Sequence, residues 1–338
     1  MENPVEERRK FLKALGVGSA TMLLGGVRPI LSFAKGPYPS DRLIWILPVK
    51  AGGGFDMAAR LITPYLTKYL KESSKEASKV AVFTKNIYEA GGIKAYESVY
   101  HAKPDGYTIG YFNAAVVTEN ITSKIDIDYN QYTYLVRTHF AVRTIVTHKR
   151  SKFKNWEGMM KAGKEKELKW GASNFGRGHH VACILVKETA KVPARLINFP
   201  GSAENSNALL RGDVDLGIIG EASGKAMIDA GEFIVLTTLS ETTEYPGVPS
   251  IAQLGYPELA DPLKLHYYLI APPKLPQEVT DILISSFKKV FSDKEFLANA
   301  KKLEIDPDPL YGVDAQRVAQ KFFKYYEEKT PILKKYLE

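Results

Sequence analysis

The chain has 338 residues, enough for one large domain or two ordinary ones with a substantial core. Its composition, 45% hydrophobic and 25% charged without a low-complexity tract, is that of a soluble globular protein and excludes a disordered or fibrous chain. The formal charge of +8 suits attraction of anions, but lysine and arginine are scattered along the chain with no basic stripe interleaved with aromatics, so nucleic-acid binding is not expected.

Residues 1–34 read as an export leader. Glu7-Arg8-Arg9-Lys10-Phe11-Leu12-Lys13 precedes an apolar run from Ala14 to Gly26, and Ser32-Phe33-Ala34 places small residues at a cleavage position. The run is too short and glycine-rich for a membrane span, and the paired arginines with Phe-Leu-Lys resemble a twin-arginine signal. The alternative is an amphipathic first helix of the mature fold. The leader holds five basic and three acidic residues, so a chain cleaved near Ala34 and starting at Lys35 keeps +6 of the +8. The single cysteine, Cys183, leaves no lipid-attachment residue at the cleavage position and no disulfide framework. A free, soluble periplasmic protein held by core packing alone is expected.

From Leu43 onward, short apolar runs alternate with helical periodicity. Strands are predicted at Leu43–Leu47, Val80–Phe83 and Thr108–Phe112, with helices over Met57–Leu70 and Ile93–Ala102. The rhythm returns with strands at Leu168–Ala172, Arg195–Phe199, Val214–Ile218 and Phe233–Leu239, and helices near His179–Thr189 and Ser202–Leu210. Strands interleaved with helices predict an α/β fold with parallel sheets and right-handed crossovers. After a strand at His266–Ile270, the turn Ala271-Pro272-Pro273 leads to a helix over Gln277–Phe291, where Val279, Ile282, Leu283, Phe287 and Val290 share a face. Helical patterns over Lys294–Leu303 and Asp314–Leu337 close the chain. Two α/β blocks and a helical tail suggest a discontinuous first domain to which the tail returns.

The turn Lys50-Ala51-Gly52-Gly53-Gly54-Phe55-Asp56 joins the first strand to the first helix. A glycine turn at a helix N-terminus gathers backbone N–H groups and suits phosphate or carboxylate. Met57 stands where a dinucleotide loop needs its third glycine, and no Gly-Lys-Ser/Thr follows, so neither nucleotide motif fits. The plainer reading is a tight turn with Asp56 capping the helix. Three further loops occupy similar junctions: Asn86 through Gly91-Gly92, Ser173 through His180, and Asn198 through Ala203. In open sheets ligands bind outside the carboxyl ends of the strands, so these turns together point to a small acidic ligand.

These residues, taken in order, resemble the substrate-binding receptors of tripartite tricarboxylate transporters. The resemblance runs from Leu47-Pro48-Val49-Lys50-Ala51-Gly52-Gly53-Gly54-Phe55-Asp56 with Ala59-Arg60, through Asn86, Ala90-Gly91-Gly92 and Lys103-Pro104-Asp105-Gly106-Tyr107-Thr108, to Gly201-Ser202-Ala203. It continues with Leu209-Leu210-Arg211-Gly212-Asp213-Val214-Asp215-Leu216, Tyr245-Pro246-Gly247-Val248-Pro249-Ser250 and Leu269-Ile270-Ala271-Pro272. It implies a two-lobed periplasmic binding protein fold of type II, each lobe a mixed, mainly parallel sheet flanked by helices. Lobe 1 would comprise residues 35–142 and 265–338, and lobe 2 residues 143–264. The implied function is capture of a small carboxylate between the lobes and its delivery to membrane permease subunits, by a monomer without cofactor, metal or catalytic residues.

Carried over by resemblance, the first-lobe contacts are Ala51, Gly52, Gly53, Gly54, Phe55 and Asp56, with Asp56 expected to orient the loop or a water because its own charge repels a carboxylate. Phe112, Asn113, Ser173, Asn174, Arg177, His179, His180, Gly201, Ser202 and Ala203 complete the expected site. Family members commonly place Ser or Thr before the histidine matching His180, where this chain has Arg177, Gly178 and His179. An arginine there suits a second anionic group and hence a dicarboxylate, aliphatic or aromatic. Phe55, Phe112, Phe175, Tyr267 and Tyr268 are either aromatic ligand walls or core, and Tyr267 and Tyr268 must face opposite ways.

Two other readings stay open: an exported enzyme acting on a carboxylic acid with a metal near His179 and His180, and a sensor subunit presenting its ligand to a membrane partner. His179 and Cys183 share a helical face, as a dyad or half a zinc site would require, but no further ligand stands at motif spacing and Val181-Ala182-Cys183-Ile184-Leu185 reads as core. No Gly-x-Ser-x-Gly elbow is present.

Overall fold

The segment Leu43–Leu47 (β1), Leu-Ile-Trp-Ile-Leu, buries every residue except the half-buried Ile44, as a strand covered on both faces must. The computed structural model describes residues 37–338 apart from Gly53, residues 120–124, Asp126 and Asn174. The expected leader therefore lies outside the described residues. In chain order the other strands are β2 (Val82–Asn86), β3 (Thr108–Phe112), β4 (Thr133–Ala141), β5 (Arg143–His148), β6 (Leu168–Ser173), β7 (Ala194–Phe199), β8 (Leu216–Gly220), β9 (Phe233–Thr238), β10 (Leu265–Ala271) and β11 (Pro307–Tyr311).

They form two sheets, one ordered β11-β4-β10-β3-β1-β2 and one ordered β7-β6-β8-β5-β9. Both are mixed, but not mainly parallel. Parallel pairing is confined to β1 with β2 and β3, and to β6 with β7 and β8; the remaining pairings, which involve β4, β5, β9, β10 and β11, are antiparallel. The reason is connectivity. Only Val142 separates β4 from β5, so the chain leaves the first sheet and enters the second with no helix between, and it returns from β9 to β10 through residues 239–264.

The helices are α1 (Gly54–Lys71), α2 (Ile93–Tyr100), α3 (Trp156–Glu165), α4 (Gly178–Ala190), α5 (Ser202–Arg211), α6 (Glu221–Asp229), α7 (Gln277–Ser292), α8 (Lys294–Lys302), α9 (Gly312–Glu328) and α10 (Thr330–Leu337). One face of the first sheet packs Trp45 and Tyr111 against Phe287 of α7 and Ala59 and Leu66 of α1. Its other face turns Phe112 and Tyr268 toward Phe323 of α9. This second core continues through Val181, Cys183 and Leu185 of α4 to Trp170 and Ile218 of the second sheet.

Several elements depart from the predicted ones. Strands β4, β5 and β11 and helices α3 and α6 were not predicted. The predicted strand at Val80–Phe83 begins two residues later, where Val82 pairs with Leu43. The predicted helix Asp314–Leu337 breaks in two at Thr330-Pro331, since proline inside a helix removes a hydrogen bond and clashes with the preceding turn. The tail also does more than cover the first sheet. Helix α9 packs on β4, whereas α10 lies against α4, where Tyr336 Oη donates to Glu188.

Phe112 is fully buried and its ring meets those of Tyr96, Tyr129, Tyr132, Tyr134, Tyr268 and Phe323. Substituting Phe112→Ala is expected to cost about 3–5 kcal/mol of unfolding free energy, read from the midpoint of a urea titration.

Candidate functional site

The first glycine turn is held from within by Asp56. Its Oδ2 accepts from the Gly52 N–H (3.0 Å) and from Arg60 Nε (2.8 Å), and its Oδ1 accepts from Asn86 Nδ2 (3.0 Å). Asn86 Nδ2 also donates to the Val49 carbonyl at 3.0 Å, tying the end of β2 to the turn after β1. Burial alone would raise the Asp56 carboxyl, but the hydrogen bonds from Arg60, Gly52 and Asn86 hold it at about 2. Asp56 therefore ties the loop together, with its charge spent on three donors. The Gly52 N–H is one of those donors and is committed to the loop.

The Gly91-Gly92 loop has a packing role. Gly92 adopts φ +101°, and a Cβ there would come within 2.5 Å of the Pro48 carbonyl oxygen. This turn leans directly on the first one, which only glycine permits.

The second sheet contributes a polar chain at the end of β6. Ser173 Oγ lies 2.9 Å from His179 Nδ1 and 3.5 Å from Ser202 Oγ, joining the starts of α4 and α5. His180, next along α4, is buried, and its Nδ1 accepts from the Gly176 N–H at 2.9 Å. Thr118 Oγ1 contacts the Gly176 carbonyl at 3.3 Å, so this loop is gripped from the first sheet as well. Arg177 faces Glu119 with 3.7 Å between guanidinium and carboxylate, and burial, partly offset by Arg177, pushes Glu119 up to about 7.

Beside the start of α4 lies Arg143, the first residue of β5, which is fully buried. Its Nη1 donates to the Leu263 carbonyl on the returning connection, while Nε and Nη2 are buried and find no partner among the described residues. Beside it, Tyr267 stacks on His139 with ring centres 4.1 Å apart and meets Phe55 at 4.5 Å. Tyr268 turns the other way into the aromatic core, as strand alternation requires. Burial, together with the charge of Arg143, pushes His179 down to about 3; burial likewise lowers His139 and His266 to about 3 and His180 to about 4.

The expected site residues thus divide. Phe55, Asp56, Ser173, His179, Gly201 and Ser202 stand at strand-to-helix junctions, while Ala203 is exposed on the first turn of α5. Phe112 belongs to the core, and Asn113 is consumed structurally, accepting from the Ala115 N–H at 2.9 Å and donating to the His266 carbonyl at 3.2 Å. Gly53 and Asn174 lie outside the described residues. Cys183 is buried with its thiol pushed well up by burial, the state of an inert core residue. Among the described residues no three of His, Cys, Asp and Glu come together as a metal site.

The sequence reasoning missed Arg143. The available signal was a cation placed directly before Thr144-Ile145-Val146-Thr147, a run with strand character.

Two mixed sheets flanked by helices are the architecture of the periplasmic binding proteins among solved structures. The sequence model of the tripartite tricarboxylate transporter family receptor matches residues 67–336, and the chain belongs to that family. Among solved structures, a Rhodopseudomonas palustris protein with adipate, Rpa4515, has a TM-score of 0.74 at 20% identity, covering 88% of this chain and 98% of its own. The periplasmic binding protein BugD has a TM-score of 0.73 at 21% identity, covering 87% and 99%. MatC of Rhodopseudomonas palustris with bound malate has a TM-score of 0.71 at 20% identity, covering 87% and 100%. At these identities the likeness is one of fold.

Replacing Asp56→Ala strands three donors and is expected to cost about 1–3 kcal/mol of stability, measured by urea denaturation, with Asp56→Asn costing less.

The imidazoles set the acid limit. Below pH 6.5 the unfolded chain gains protons on His139, His179, His180 and His266 that the folded chain takes up only near 3 to 4, so stability falls with pH through that window. Glu119 acts oppositely between 4.5 and about 7, but it is one group against four. The melting temperature is expected to drop steadily from pH 6.5 to pH 4 in a pH series at constant ionic strength.

Proposed function

We propose that this protein is an exported, periplasmic receptor that captures a small dicarboxylate, aliphatic or aromatic, between its two sheets and delivers it to the permease subunits of a tripartite tricarboxylate transporter. In this reading the lobes are residues 35–142 with 265–338, and residues 143–264, hinged at Val142 and at residues 239–264. The twin-arginine leader ends near Ala34, and the receptor acts as a monomer.

The observation that carries the reading is the pair of pre-organised turns, one on each sheet. Asp56 and Asn86 fix the turn after β1, and His180 fixes the turn after β6. Each turn opens a helix, and a helix start favours negative charge. Because the Asp56 carboxylate is spent on three donors, the repulsion it would offer a carboxylate is reduced. The malate and adipate held by two proteins of the same fold are acids of the class proposed. Ser173, His179 and Ser202 supply neutral polar groups from the second lobe, and Phe55 and Tyr267 an aromatic wall.

A ligand that binds only the folded state raises the melting temperature. In a thermal-shift screen of the full chain against mono-, di- and tricarboxylates, a selective rise with dicarboxylates is expected. If no acid raises the melting temperature, even after refolding from denaturant to release a resident ligand, the receptor reading fails.

A further inference from the structure

We propose that Arg143 is the anion anchor of this protein, its guanidinium taking one carboxylate of the bound acid at the junction of the two sheets. This rests on the receptor reading above and names the group that holds the ligand's charge.

A buried cation without a counter-ion is strongly disfavoured. Arg143 is wholly buried, and among the described residues the one hydrogen bond of its side chain goes to a neutral carbonyl, that of Leu263. The two unpartnered donors, Nε and Nη2, lie on the same edge of the planar fork. That edge matches the two oxygens of a carboxylate, which a guanidinium binds through parallel hydrogen bonds.

The surroundings add positive potential instead of cancelling it. Nη2 lies against Gly178, the first residue of α4, where a Cβ would come within 2.7 Å of it. A side chain at that position would displace the guanidinium, so the glycine makes room for it. Arg177, the N-cap residue, makes no side-chain cap bond here, and the partial positive charge of the helix start faces a full one. His179 follows and is held neutral, so it donates or accepts without adding charge. An anion at the Nε and Nη2 edge satisfies both the guanidinium and the helix start; a water satisfies hydrogen bonds but leaves the charge uncompensated.

Position supplies the mechanism of access. Arg143 is the first residue after the outgoing crossover and bonds to Leu263 on the returning one. Separation of the sheets about those two segments admits a ligand to the junction, and a carboxylate held on the Arg143 edge rewards bringing the first sheet back toward it.

The test compares the full-length wild type with R143M, which is apolar and of similar volume, and R143K, which keeps the charge without the fork. All are refolded from denaturant, then examined by thermal shift and calorimetric titration with acetate, benzoate, succinate, adipate, phthalate and, separately, chloride. The expected result is that acids binding the wild type bind R143M roughly 10- to 100-fold more weakly, with R143K between them. Ligand-free R143M is expected to melt at or above the ligand-free wild type, because an uncompensated buried charge has been removed.

An unchanged acid response in R143M with a lowered ligand-free melting temperature would make Arg143 a structural pin and overturn the proposal. Stabilisation of the wild type by chloride but by no acid would also overturn it, marking a halide site. If no acid shifts even the wild type, the receptor reading falls and the anchor with it, an outcome distinct from equal binding by wild type and variant. Should R143M not fold, R143K decides: wild-type affinity in R143K overturns the proposal.

Discussion

Only two chain segments pass between the sheets, yet the apolar core runs on from one sheet to the other. Phe112 and Tyr268 on the first sheet reach Phe323 of α9, and the same cluster extends through Val181, Cys183 and Leu185 of α4 to Trp170 of the second. The helix whose first turn carries His179 and His180 is therefore packed on both sides of the junction. Relative movement of the sheets must therefore disturb the packing of that helix on one side or the other.

Charge is distributed so that most of it cancels near the turns. Asp56 is answered by Arg60, Asn86 and the Gly52 amide, and Glu119 by Arg177. Four histidines are held neutral by burial. Against this background, the buried Arg143 guanidinium has an edge with no partner among the described residues. A low-dielectric site amplifies such a residual charge, because water is not there to screen it.

The strands that could be read from sequence are those buried on both faces by simple apolar runs. Leu43–Leu47 and Thr108–Phe112 were placed residue for residue. β4 was illegible because Arg137, Thr138 and His139 sit in its buried centre, satisfied by partners distant in sequence: the Arg137 guanidinium meets Asp308 on β11. β11 reads Pro-Asp-Pro-Leu-Tyr, a pattern that argues against a strand, and it survives because it lies at the sheet edge, where a missing N–H costs least. Local pattern cannot reveal a polar residue whose partner arrives from far along the chain. The same limit hid Arg143, whose contacts at Leu263 and Gly178 are non-local, while the Asp56 turn was legible because most of its bonds close within a few residues.

The glycines of the turns show how similar sequence signals separate once packing is known. Gly92 is required because the loop after β2 presses against the Pro48 carbonyl, which makes it a brace for the first turn. Gly178 is required because the guanidinium of Arg143 fills the space a Cβ would occupy. One glycine lets backbone approach backbone; the other lets a cation reach the start of a helix. Both substitutions would clash at similar distances, yet their consequences differ in kind. Loss of the first would shift a supporting loop, and loss of the second would push away the buried Arg143 guanidinium. Sequence alone scores the two alike, as glycines opening a helix after a strand, and only the identity of the neighbour that claims the space separates scaffold from site.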